Sequence, residues 1–86
     1  MTGLRFDEKP LNLRGLLGVG LDGRREELRV TRGANFWLYG GSQDTHGRMV
    51  DTALKFNEKI DERGKSIEQI NARELAEIAR ELREDR

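Results

Sequence analysis

Apolar residues change their spacing along this chain, and each change marks an expected element. From Leu13 to Leu21 they alternate: Leu17, Val19 and Leu21 fall on one face of an extended segment, and Leu16, Gly18 and Gly20 on the other. That period of two predicts a strand with the first set turned inward. Asp22-Gly23 reads as a turn. A second short strand is expected from Glu27 to Arg32, with Leu28 and Val30 inward and Arg29 and Thr31 outward. After a turn at Arg32-Gly33-Ala34-Asn35, the run "NFWLYGG" puts Phe36 and Leu38 on one face and Trp37 and Tyr39 on the other. Three strands so closely spaced predict an antiparallel meander.

Beyond Ser42 the period lengthens. Met49, Ala53, Phe56 and Ile60, flanked by Val50 and Leu54, recur at steps of three and four, which predicts an amphipathic helix of about twenty residues. Gly64 is its natural stop. Ile67 and Ile70 anchor the connector that follows. Asn71 and Glu74 have the spacing of a capping box, in which each side chain serves the other's backbone amide. They open a second helix with Leu75, Ile78, Ala79 and Leu82 on one stripe.

The expected fold is therefore α+β: a three-stranded antiparallel β-meander followed by two helices packed on one face. Residues 1–12 read as a flexible tail or edge strand, 13–84 as a single domain and 85–86 as a frayed end.

Composition narrows the function classes. Lys plus Arg and Asp plus Glu both number 16, so the formal net charge is zero and nothing recruits a polyanion over long range. Only Arg14, Arg24, Arg25, Arg29 and Arg32 form a basic grouping, with Glu26 and Glu27 interleaved, so a nucleic-acid-binding module ranks as an alternative and not the main reading. The absence of cysteine excludes a disulfide framework, a thiolate zinc site and a cysteine nucleophile. The longest unbroken run of apolar or glycine residues, "GLLGVGL" at 15–21, is far too short to span a membrane, and a cytoplasmic protein is expected.

The stretch "GGSQDTH" at 40–46 raises one chemical question. A helix N-terminus presents unpaired amides and about half a positive charge. Gly40, Gly41, Ser42, Thr45, His46 and Arg48 are thus candidates for binding a small anion or phosphate ligand. The same letters also suffice for a plain helix start, with two turn glycines, a Ser42 cap and Asp44 in the first turn. No Walker or dinucleotide spacing is present. His46 has no nucleophile and orienting acid beside it on the helix and no second ligand one turn on, so no catalytic residue, metal or cofactor is expected.

"FWLY" is the more informative run, because four large apolar residues in one strand coat both faces of the sheet. Either Trp37 and Tyr39 lie over Gly18 and Gly20, or Leu16, Arg32, Trp37 and Tyr39 form an exposed surface for a protein partner, a homodimer being its simplest form. The expected function is a small non-catalytic protein-interaction or regulatory module. The stretches "TRGANFWLYGGSQDTHGRM" and "KFNEKIDERGK" resemble a family of small uncharacterised bacterial proteins over about residues 30–65. The family has acids at the positions of Ala34 and Gly47, where this chain departs from it. The resemblance implies a bacterial origin and no particular mechanism.

Overall fold

The computed structural model describes residues 9–24 and 28–84. Within that range the chain forms strands β1 (Leu16–Gly20), β2 (Val30–Arg32) and β3 (Phe36–Gly40), then helices α1 (Gln43–Glu62) and α2 (Ala72–Glu84). The class is α+β, but the sheet is not a meander. Its order is β1-β3-β2, with β2 antiparallel to β3 and β1 parallel to it. The expected start of the second strand at Glu27, most of the expected tail at 1–12 and the end at 85–86 lie outside the described residues.

Two strands turn the other way from the expected one. Register Leu16↔Phe36, Gly18↔Leu38 and Gly20↔Gly40 puts the small and middle-sized side of β1 on the buried face with Phe36 and Leu38. Leu17 and Val19, expected in the core, sit opposite Trp37 and Tyr39 and are exposed. β2 is inverted as well: Val30 lies opposite Tyr39 and is exposed, Thr31 lies opposite Leu38 and turns inward, and Leu28 is also exposed. Close approach at the end of the sheet requires this phase. An added Cβ on Gly20 would stand 2.5 Å from the Cα of Gly41, so β1 and the start of the helical segment meet backbone to backbone.

Two compact units share the described chain. Of the described residues, 15–24 and 28–54 form one, and 9–14 with 55–84 form the other, so α1 contributes to both. The first is centred on Phe36, Leu38 and Ala53, with Leu16, Met49 and Val50 packed against them, and uses the expected stripe of α1. Its hairpin turns at Gly33, whose amide donates to the Phe36 carbonyl at 2.9 Å.

The second unit buries Phe56, Ile60, Ile67, Ile70 and Ile78. α1 ends as expected at Gly64: its amide donates to the Asp61 carbonyl at 2.9 Å, and the Lys65 amide reaches the Ile60 carbonyl at 3.4 Å. This is the paired-bond stop that a left-handed residue permits. Arg63 then reaches Glu77 at 3.5 Å and Glu81 at 3.4 Å, tying the end of α1 to α2. The capping box is fully formed, with the Glu74 amide donating to Asn71 Oδ1 at 2.8 Å and the Asn71 amide donating to Glu74 Oε1 at 3.1 Å. Lys65 Nζ adds contacts of 2.8 and 2.9 Å to the two oxygens of the same carboxylate. Pro10 bridges to Asn71, and the Leu11 amide donates to the Ile70 carbonyl at 2.9 Å, fixing the chain ahead of β1 against the start of α2.

Because Asn71 is buried and its side chain satisfies an otherwise orphaned helix amide, Asn71→Ala should cost about 1 kcal/mol of stability. Urea denaturation of the two proteins measures it, and an unchanged midpoint would show that the cap contributes nothing. The Lys65 ammonium holds the Glu74 carboxyl below its ordinary value, helped by the Asn71 amide. The stability this adds is complete above the ordinary glutamate range and is lost as pH falls through the lowered value. A Glu74→Gln variant should therefore differ from the parent most at neutral pH and least in acid.

Candidate interaction surface and the helix start beside it

Asp22 provides the chemical answer at the helix start. β3 runs into α1 through Gly40 and Gly41, at φ of 75° and 84°, a left-handed conformation that only glycine adopts without strain. Ser42 is the cap: the Thr45 amide donates to its Oγ at 3.3 Å, and the His46 amide to its carbonyl at 2.8 Å. The carboxylate of Asp22, carried on the loop after β1, then accepts from the Ser42 amide at 2.8 Å, the Ser42 hydroxyl at 3.1 Å and the Thr45 hydroxyl at 2.7 Å. A negative group thus already lies where helix amides and hydroxyls converge, and it is the chain's own. The Ser42 amide, followed by the Thr45 hydroxyl, holds the Asp22 carboxyl below its ordinary value.

His46 is buried, and its two ring nitrogens have other partners than this carboxylate. Its Nδ1 lies 2.8 Å from the Gly40 carbonyl and its Nε2 lies 2.8 Å from Thr31 Oγ1. A carbonyl only accepts, so Nδ1 carries the proton, and in the neutral ring Nε2 accepts from the threonine hydroxyl. One imidazole thereby ties α1 to β2 and to the end of β3, with both nitrogens in use. This is why Thr31 takes an inward position that a period-of-two reading assigns to an apolar residue.

Of the remaining candidates, Arg48 is exposed and lines a shallow depression with Gln43, Asp44, Gly47 and Asp51. Ser42 and Thr45 converge on one carboxylate, Gly40 and Gly41 shape the turn, and His46 and Arg48 point to other places. Arg29 Nη1 reaches the Gly41 carbonyl at 3.3 Å. Among the described residues no group of three or more His, Asp or Glu side chains is placed to hold a metal ion.

The opposite face of the sheet is different in kind. Leu17 and Val19 from β1, Trp37 and Tyr39 from β3 and Val30 from β2 stand side by side in the paired register, 70%, 58%, 38%, 37% and 49% exposed. Arg32, opposite Trp37, is the charged member of this face. Leu16, expected on this surface, packs instead against the core cluster, and Leu17 and Val19 take its place. The aromatics do not cover Gly18 and Gly20, because those glycines face the other way. Trp37 rests instead on Gly15, where an added Cβ would stand 2.8 Å from the ring atom Cζ3. One edge of the indole therefore lies close over bare backbone.

Sequence reasoning missed Asp22, Thr31 and the β1 pair Leu17 and Val19, all for one reason. The expected meander points β1 and β3 the same way but sets β2 between them, whereas direct β1–β3 pairing brings the loop after β1 beside the start of α1. Comparison with protein-family models, curated proteins and solved structures returns no match. No helix among the described residues is long and apolar enough to cross a membrane.

Replacing Asp22 by Asn keeps the shape and removes the charge that the helix start stabilises. Its depressed carboxyl contributes stability that is complete above the ordinary aspartate range and disappears as pH falls through the lowered value. Denaturation midpoints of Asp22→Asn and the parent should therefore diverge at neutral pH and converge in acid. A constant offset at every pH would assign the effect to shape and not to charge.

Proposed function

We propose that the protein is a non-catalytic interaction module, acting in the cytoplasm, that binds another protein through the outer face of its sheet. The observation that carries this reading is the row of five large apolar side chains across three adjacent strands. Each leaves unrealised part of the roughly 1.5–3 kcal/mol that full burial of such a side chain contributes. A contiguous apolar face with two aromatics at its centre and an arginine among them has the composition of a protein contact. The indole, one edge of which lies close over Gly15, is the largest side chain on that face.

Anion binding at Gly40 to His46 is the weaker reading, because Asp22 fills the position an external phosphate would need and would repel it. Nucleic-acid binding is weaker too: of the arginines considered for it, Arg32 lies on the outer face and Arg29 is turned to the Gly41 carbonyl. Arg25, Glu26 and Glu27 lie outside the described residues.

A photo-crosslinking phenylalanine analogue placed at Tyr39, and separately at the exposed helix position Leu54, tests the reading in cells of the source organism. Protein adducts from position 39 and none from position 54 are expected. Equal labelling from both, or none from position 39, would remove the sheet face as the binding surface.

A further inference from the structure

Among the described residues β1 is an edge strand, and its own sequence lacks the devices that normally guard one. Edges are blunted by charge, proline, bulges or short length, since their unpaired backbone groups template further strands. The other edge, β2, is three residues long and carries Arg32. β1 is five residues long, reads LLGVG and has neither charge nor proline; Gly15 and Leu21 on either side add none.

The direction of its backbone groups follows from the ladder. The Leu16 amide donates to the Asn35 carbonyl at 2.9 Å, on the β3 side. Amides and carbonyls alternate sides along a strand, so Gly18 and Gly20 also address β3, while the amides and carbonyls of Leu17 and Val19 point to the open edge. Among the described residues no strand pairs with that edge.

The geometry points to a second copy of this chain as the occupant, its β1 running antiparallel about a twofold axis at Gly18. In that register Leu17 faces the partner copy's Val19, and Val19 its Leu17. Both residues offer edge-directed groups, so each pair exchanges two hydrogen bonds and all four open groups on each strand are satisfied. The two Gly18 residues form the intervening pair without hydrogen bonds, as their β3-directed groups require. The match is self-complementary, which a twofold contact demands. It also brings no like charges together, because the edge is uncharged and the chain's net charge is zero. The axis stands perpendicular to the sheet, so the product is one six-stranded sheet with the two outer faces continuous. This pairing uses backbone at the edge, and the face reading uses side chains at the centre, so either stands without the other.

Val19→Pro separates them. The ring removes an amide that the β1–β3 ladder does not use, and proline is tolerated on an edge strand with that orientation. Light scattering over about a hundredfold range of concentration should show the parent rising from 9.9 kDa towards twice that mass, by mass action. Val19→Ala and Trp37→Ala should still dimerise, and Val19→Pro should stay monomeric with an unchanged circular dichroism spectrum. A parent that remains monomeric throughout overturns the edge pairing while leaving the crosslinking test of the face intact. A folded Val19→Pro that still dimerises also overturns it. Should Val19→Pro unfold, amide exchange of the parent decides: protection of the Leu17 and Val19 amides that grows with concentration supports the pairing, and concentration-independent exchange rejects it.

Discussion

Parallel pairing of β1 with β3 is the constraint from which the rest of the first unit follows. It requires the two strands to end together, which brings Gly20 against Gly41 and leaves no room for a side chain at the junction. It also carries the loop after β1 to the start of α1, where Asp22 meets Ser42 and Thr45. The register that makes those contacts turns Leu17 and Val19 away from the core. The exposure of Leu17 and Val19 thus goes with the register that secures the helix start.

The polar interior has the same origin. Inverting β2 relative to its simplest pattern moves Val30 out and Thr31 in, an exchange that hydrophobicity alone opposes. The exchange holds because His46, buried on the sheet-facing side of α1, needs a hydroxyl on one nitrogen and a carbonyl on the other. A buried imidazole left with an unpaired nitrogen would cost about 1–3 kcal/mol, comparable to what burying a valine contributes. Among the described residues no buried side-chain nitrogen or oxygen lacks a partner.

Local signals in the sequence were reliable where a structure is built from neighbours. The helix from Gln43 to Glu62, its stop at Gly64, the Ser42 cap and the Asn71–Glu74 box depend on residues within a turn or two of one another, and all were legible. Phe36 and Leu38 facing inward with Trp37 and Tyr39 outward was legible too, because a strand's alternation is local. The facing of β1 and β2 was not, since a period of two fixes which residues share a side and not which side is buried. Leu16 alternates with Leu17, and Val30 with Thr31, with equal regularity in either phase. Strand order decides between them, and nothing near Asp22 in the sequence announces that its partners lie twenty residues on.

The division of the chain into a contiguous unit and an interrupted one bears on how the protein is made. Among the described residues all three strands of the sheet lie within 15–54, so the sheet's own ladder is complete in sequence once that segment has left the ribosome. The other unit joins Pro10 and Leu11 to Ile70 and Asn71, and so must wait for nearly the whole chain while bearing the larger loop-closure entropy. Between those two moments the nascent chain presents the first unit alone, with its outer face and uncharged edge uncovered. Synthesis on neighbouring ribosomes would then be the time when copies of this chain meet at the highest local concentration.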